Sequence, residues 1–416
     1  MNYINVKIIQ LYVILMDKKY LVLNIEPEYR TDLIDLPWDI PLDQWTEKHA
    51  KFIDIRKGKS KHIVRFIKTK DFSFAVKQTS PISAYFESET FSKLLSRGIH
   101  TLIPAGYVFY KKNLFEKNTE DDGLAFIITL LEAKSIPHSI LFKWDFSVES
   151  RKTIYKAAAE LLANLHHNNI YWGDASLSNI LIKFIKSRDE QGKSYTELKA
   201  FLSDSETITI VKQINDDQMK KDIKCFYDSM TAISKEFPKE EKEKIGFDLA
   251  ADKKYFRQEY DANFGLLKKT SDFEKLTGLE ISKHFFKITD PYSIDSILKQ
   301  IEEHKWYLSE KNSKEVEMKF AATDWIEKIY NPIIKEFNKI KIFDYFPDTN
   351  SVKLYTDIMA HKYYLSIEKN EDVGIYTALR SYSEKHSIKE ENLLSKFIDK
   401  LLKRLTKVVP QNYNFS

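Results

Sequence analysis

Cysteine, glycine, net charge and long apolar runs are all scarce in this chain. A single cysteine, Cys225, excludes an intrachain disulfide framework and any cysteine-based zinc site, and it fits a reducing compartment. Ten glycines in 416 residues are about a third of the usual ~7% share, which excludes collagen-like and other glycine-rich repeats. Lys plus Arg number 65 against 61 Asp plus Glu, so a net charge of +4 supplies no basic field of the kind that binds nucleic acid. No run approaches the ~20 apolar residues of a membrane-spanning helix. The nearest, Tyr3–Met16, is interrupted by Asn5, Lys7 and Gln10 and has no small-residue cleavage site. It reads as a β-strand pairing with Tyr20–Ile25 rather than a secretory signal. Met16, followed by Asp17-Lys18-Lys19, offers an alternative start. A cytoplasmic protein is the expectation.

What is present points to a folded chain. Hydrophobic residues make up 43% and aromatics 13%, with 6 tryptophans, and the length predicts two or three structural units. Residues 1–28 form the strand segment just described. From 29 to 131 the pattern is rich in short strands. The lead-in 29–45 holds two prolines and two tryptophans without a period, so it is expected to pack on something else. Strands follow at Phe52–Ile55, Ile63–Ile67 and Phe72–Lys77, then a helix over Ala84–Ser96 closed by Arg97-Gly98, then strands at Gly106–Tyr110 and Leu124–Leu131. The character changes near Leu131–Ser135. Residues 132–270 carry a helix over Ser150–His167, strands at Ile180–Phe184 and Leu198–Leu202 around a charged hairpin, and helix from about Asp216. Residues 271–416 are helical and rich in Lys and Glu. They contain an internal repeat: HKWYLSEKNSKEV from His304 returns as HKYYLSIEKNEDV from His361, an offset of 57 residues. Two related helical hairpins are the physical reading.

Three places could carry chemistry. In Ile170–Ile182, IYWGDASLSNILI, Asp174 and Asn179 stand five apart in a polar loop between a helix and a strand. A carboxylate there can take a proton from an attacking hydroxyl, and a carboxamide can offer its oxygen to a hard divalent cation. The second is Asp204, leaving the strand that pairs back through the hairpin, where it can join Asn179 as an oxygen ligand for Mg²⁺. The third is Lys77, ending the strand Phe74–Lys77, with a glutamate on the next helix to hold its ammonium against phosphate oxygens. Glu89 is the first candidate for that role and Glu87 its competitor.

In this order the pieces resemble the protein-kinase set of strand lysine, helix glutamate, loop Asp…Asn and metal aspartate. From about Leu36 to Lys385 the chain also resembles an uncharacterised bacterial family related to the lipopolysaccharide (heptose and Kdo) kinases. That likeness rests on LPWDIPLDQW, GKSKHIVRFI, FAVKQT, WGDASLSN, LSDSET and HKYYLS…DVG. The resemblance implies an α+β, protein-kinase-like fold of two lobes. A small antiparallel sheet with one helix (29–131) would precede a mainly helical lobe (132–270), with the helical region 271–416 as an extension. It makes Lys77 the phosphate-binding lysine, Glu89 its partner, Asp174 the base, and Asn179 and Asp204 the metal ligands. Gly58, Lys59, Ser60 and Lys61 fall at the nucleotide-covering turn, and Thr129, Leu131 and Glu132 at the adenine hinge. ATP and Mg²⁺ are the implied cofactors.

The departures from protein kinases are informative. The H-R-D position reads Trp172-Gly173-Asp174 and D-F-G reads Asp204-Ser205-Glu206, where Glu206 offers a second acidic metal contact. The helical pattern resumes near Asp216, leaving little room for a protein-docking segment, so the chain is more similar to small-molecule, glycolipid or RIO-like phosphotransferases. The expected function is therefore transfer of the γ-phosphate of ATP to a hydroxyl of an acceptor that the residue pattern does not name, with a sugar or lipid-linked sugar as one candidate. The alternative is a nucleotide-binding pseudokinase acting as an interaction module, with the helical region recruiting a protein partner or a second copy. His166-His167 are expected to brace the loop, His304 and His361 to pack rather than bind metal, Trp172 to wedge the loop onto the core, and Cys225 to be unreactive.

Overall fold

The computed structural model describes residues 12–16, 19–55, 62–111, 123–144, 146–188, 192–236, 238–244, 246–339, 342–346 and 349–386. The molecule is a mixed α/β protein with an antiparallel sheet and many helices, and it divides into two compact units. The first comprises Met1–Lys186 and Thr196–Phe264, the second Ser187–Tyr195 and Gly265–Ser416. Among the described residues no helix is long and apolar enough to cross a membrane.

Among the described residues twelve strands are present: β1 (Tyr12–Met16), β2 (Lys19–Ile25), β3 (Lys51–Phe52), β4 (Val64–Lys68), β5 (Ser73–Thr79), β6 (Pro104–Lys111), β7 (Ala125–Leu130), β8 (Ser135–Pro137), β9 (Ile170–Tyr171), β10 (Ile180–Arg188), β11 (Ser194–Leu202) and β12 (Thr209–Ile210). The first seven make one sheet in the order β1-β2-β6-β7-β5-β4-β3, antiparallel throughout. The pairing expected for the first strand is present, with Tyr12 opposite Leu23 and Met16 opposite Lys19; Tyr3–Leu11 lie outside the described residues. The strand expected over Phe52–Ile55 shrinks to β3, although Ile53 N–H still bonds Phe66 C=O at 2.8 Å.

Both faces of this sheet are covered, so β7 is buried continuously from Ala125 to Thr129 instead of alternating. On one face the lead-in 29–45 supplies Tyr29, Leu33, Trp38, Leu42 and Trp45, which pack on Phe74, Val76, Phe126 and Ile128. Trp38 and Trp45 meet edge to face at 5.4 Å, and the Trp38 indole N–H donates to Leu33 C=O at 2.9 Å. Each such buried ring contributes roughly 1.5–3 kcal/mol. Helix α1 (Pro81–Ser96) covers β6 and β7. It begins earlier than its apolar pattern suggests, because Ser80 caps it by accepting from Ser83 N–H and Pro81 fits the first turn.

The rest of the first unit holds α2 (Val148–His167), α3 (Asp216–Ser234), which starts in a capping box of Asn215 and Gln218, and the first part of α4 (Leu249–Thr277).

The second unit packs α5 (Pro291–Asn312), α6 (Met318–Trp325), α7 (Asn331–Lys339), α8 (Ser351–Lys369) and α9 (Gly374–His386) around Ile297, Ile301, Trp325, Tyr330, Tyr355 and Ile358. The sequence repeat is a structural one, α5–α6 followed by α8–α9. Ser313 and Asn370 end the two leading helices in the left-handed region, at φ +47° and +52°. Lys314 N–H reaches Ser309 C=O at 3.2 Å and Glu371 N–H reaches Ser366 C=O at 3.1 Å, the same helix-ending bond in each copy. The two serine hydroxyls accept from Val316 and Val373 N–H at 3.0 and 3.3 Å. Lys305–Glu315 and Lys362–Asp372 pair at 2.9 and 2.8 Å, and His304 and His361 reach Asp324 and Ser381, both at 2.9 Å. The retained His, Lys, Ser and Val thus build one turn twice.

Candidate active site

The site lies within the first unit. On β5, Phe74 and Val76 face the tryptophans, so the period of two sends Ala75 and Lys77 to the face under α1. The Lys77 ammonium donates to both oxygens of Glu87, at 2.9 and 3.1 Å. Its partner is therefore Glu87, not Glu89. Helical spacing explains the correction: Ala84, Glu87, Ser88, Phe91 and Leu94 form the buried stripe of α1, and Glu89 falls off it, half-buried. Asp204 Oδ1 stands 3.6 Å from the same ammonium and Glu206 Oε2 3.9 Å. Burial pushes the ammonium down, but these three carboxylates outweigh it and hold Lys77 above its ordinary value. Burial pushes the Glu87 carboxyl up to about 7 despite the lysine. Glu206 also meets His62 Nε2 at 3.3 Å.

The loop of Asp174 is held from below. Asp222 on α3 is buried and accepts from Trp172 N–H and Gly173 N–H, both at 2.8 Å. His166, ending α2 and equally buried, bonds Asp222 at 3.1 Å through Nε2 and the Tyr260 hydroxyl at 2.7 Å through Nδ1. The bracing role expected of His166 is what the geometry gives. Asp222 was not singled out by sequence; its only signal was an acid at the centre of an otherwise amphipathic helix. Gly173 is required where it stands, because its φ of +81° is joined by the Thr207 carbonyl only 3.1 Å from where a Cβ would sit.

Asn179 donates to Asp174 Oδ2 at 3.0 Å and to its carbonyl at 3.1 Å. That leaves the Asn179 carboxamide oxygen as the group to offer a cation. Cys225 on α3 donates weakly to Asp174 Oδ1 at 3.6 Å, and burial followed by the aspartate pushes its thiol up to about 11. The Asp174 loop and the Asp204 segment are tied together. Trp172, buried, donates its indole N–H to Asp204 C=O at 3.3 Å, and Ser203 N–H bonds Asn179 C=O at 3.0 Å. Asp174, Asn179, Asp204, Lys77 and Glu87 are thus linked by direct bonds or single intervening residues.

The expected hinge is partly committed elsewhere. Thr129 is buried on the Lys77 face of β7, but Leu131 N–H already bonds Ser73 C=O at 2.9 Å. Glu132 C=O accepts from the Ser135 hydroxyl at 2.7 Å, and its side chain pairs with Lys183. Gly58, Lys59, Ser60 and Lys61 lie outside the described residues. Among the described residues, Glu87, Asp204 and Glu206 form a group whose ligand oxygens all lie within 4.8 Å of one another. Hard oxygen donors of this kind fit Mg²⁺.

A family model described as a domain of unknown function, DUF4032, matches residues 318–386, inside the second unit. No curated protein matches the chain. Among solved structures, a complex of WaaP with acyl carrier protein is similar at 14% identity and a TM-score of 0.33, covering 59% of this chain and 99% of that one. The Rio2 kinase–ADP/Mg²⁺–phosphoaspartate complex from Chaetomium thermophilum is similar at 16% identity and a TM-score of 0.31, covering 54% and 73%. The BubR1 kinase domain follows at 12% and 0.27, covering 50% and 52%.

Proposed function

We propose that the first unit is a protein-kinase-like, two-lobed phosphotransferase that passes the γ-phosphate of ATP to the hydroxyl of a small acceptor, a sugar or lipid-linked sugar. The observation that carries this is the Lys77 ammonium, fixed by Glu87 at 2.9 Å with the Asp204 carboxylate at 3.6 Å. A half-buried lysine so held presents a preorganised positive charge beside an acid that needs a counter-ion.

In this reading Lys77 binds and orients the phosphates. Asp174, steadied by Asn179 and backed by Asp222, takes the proton of the acceptor hydroxyl as its oxygen bonds to the γ-phosphorus and ADP leaves. Asp204 and the Asn179 oxygen would hold Mg²⁺, which supplies neutralisation of phosphate charge. Catalysis is then mostly positioning and charge stabilisation. The short passage 205–215, taken up by a turn, β12 and the approach to α3, supports a small acceptor over a folded protein.

The test is Mg²⁺-dependent ATP turnover by the full chain and its Asp174→Asn variant. Asp174→Asn is expected to lower turnover by about 10²–10⁴-fold while nucleotide binding persists. Wild type that binds nucleotide but loses nothing on Asp174→Asn would be an interaction module instead. Lys77→Ala is expected to weaken nucleotide binding in either case.

A further inference from the structure

Residues 204–207 make a tight turn, in which Glu206 N–H bonds Asp204 Oδ1 at 3.1 Å and Ile208 N–H bonds Ser205 C=O at 3.2 Å. Asp204 and Glu206 turn their carboxylates toward Lys77, while Ser205 and Thr207 donate their hydroxyls to two different backbone carbonyls. The Ser205 hydroxyl, buried, donates to Glu87 C=O at 3.3 Å, in the helix that holds the lysine. The Thr207 hydroxyl donates to Trp172 C=O at 2.7 Å, two residues before Asp174. The same carbonyl belongs to the peptide that enters left-handed Gly173, which packs against Thr207.

We propose that Ser205 and Thr207 are positioning residues: two hydroxyl struts that lock the Asp204 turn to the Glu87 helix on one side and to the Asp174 loop on the other. This rests on the phosphotransferase reading above. The physical case is that Asp204 and Asp174 sit on separate segments, and their relative placement depends on what spans them. Trp172 spans them through its indole, from the loop side. Thr207 spans them from the turn side, so the Trp172 residue is gripped at both its side chain and its carbonyl. Ser205 takes the central position of the three-residue motif and replaces packing by a directed bond. The two struts act on different groups, one on phosphate anchoring and one on the base, and therefore leave different kinetic signatures.

The experiment measures kcat and the nucleotide KM for the full chain and for Thr207→Val, Thr207→Ser and Ser205→Ala, with nucleotide binding and thermal unfolding alongside. Thr207 is largely exposed, so the isosteric valine is expected to fold. Thr207→Val should lower kcat at least about tenfold with nucleotide KM within about twofold, since it displaces the base and leaves the phosphate anchor alone. Thr207→Ser keeps the hydroxyl and should stay within about threefold of wild type. Ser205→Ala should instead raise nucleotide KM about fivefold, the worth of one ordinary hydrogen bond, with little change in kcat. Equal kcat for wild type and Thr207→Val, or equal losses in valine and serine variants, would overturn the struts while leaving the phosphotransferase intact. Parallel losses of kcat and KM in step with lowered melting temperature would overturn them too, as mere stability. A wild type that neither binds nor turns over Mg²⁺–ATP overturns both readings together.

Discussion

Each unit buries a histidine against an aspartate, and the two pairs have different consequences. In the first, His166 meets Asp222, which also gathers the Trp172 and Gly173 N–H groups and so shapes the Asp174 loop. In the second, His304 meets Asp324, whose other oxygen pairs with Lys328 beside the same helix. The repeat has already run the control on the second pair: its copy, His361, makes the bond to Ser381 instead, at the same 2.9 Å. A pair that tolerates exchange of its acid for a hydroxyl is holding two helices together. A pair whose acid serves three donors at once is holding a loop in one conformation.

The largest effect should come from making the same exchange in both places. Asp222→Ser leaves two backbone donors and an imidazole without their acceptor, and is expected to cost about 3 kcal/mol or more in urea unfolding. Asp324→Ser recreates the chemistry of the second copy and should cost about 1 kcal/mol. Equal costs would erase the distinction drawn here. A medium effect sharpens the comparison within the repeat. The Lys362 side chain is 7% exposed beside a 21% exposed Asp372, whereas Lys305 is 27% exposed beside an 81% exposed Glu315. Lys362→Met should therefore destabilise by about 2 kcal/mol, because a charge-assisted hydrogen bond made by a buried lysine is lost. Lys305→Met should stay within about 0.5 kcal/mol.

The smallest effect concerns Cys225. Its folded thiol is raised from 9.0 to about 11, so the folded state keeps the proton that the unfolded chain gives up. The resulting stability is present below pH 9 and is lost as pH rises toward 11. At pH 8 alkylation of the folded chain by iodoacetamide should be slower than that of the urea-unfolded chain. Equal rates would show that the thiol does not sit against Asp174.

Much of the plan was legible because it depends on local patterns. Lys77 follows from strand alternation, the Asp174–Asn179 loop from a helix, a polar stretch and a β-branched strand in succession, and the duplicated hairpin from thirteen residues returning at an offset of 57. Glu87 was legible too, since Ala84, Ser88, Phe91 and Leu94 define the stripe it shares, but the reading of the residues put Glu89, two residues on, first and Glu87 only as its competitor. Asp222 was not legible. A buried acid on a helix reads as a surface residue until the loop it accepts from is seen, 49 and 50 residues earlier.

By itself the sequence determined where the longer strands and helices lie, that one turn is built twice, and which residue types could handle phosphate and a hard cation. These are matters of period and neighbour, settled over a few residues. Tertiary structure alone decided that one aspartate on α3 anchors the loop of another, and that the hydroxyls of Ser205 and Thr207 reach the carbonyls of Glu87 and Trp172. Such choices join groups far apart in the chain, and a buried polar group is fixed by whichever partner the packing brings within bonding distance.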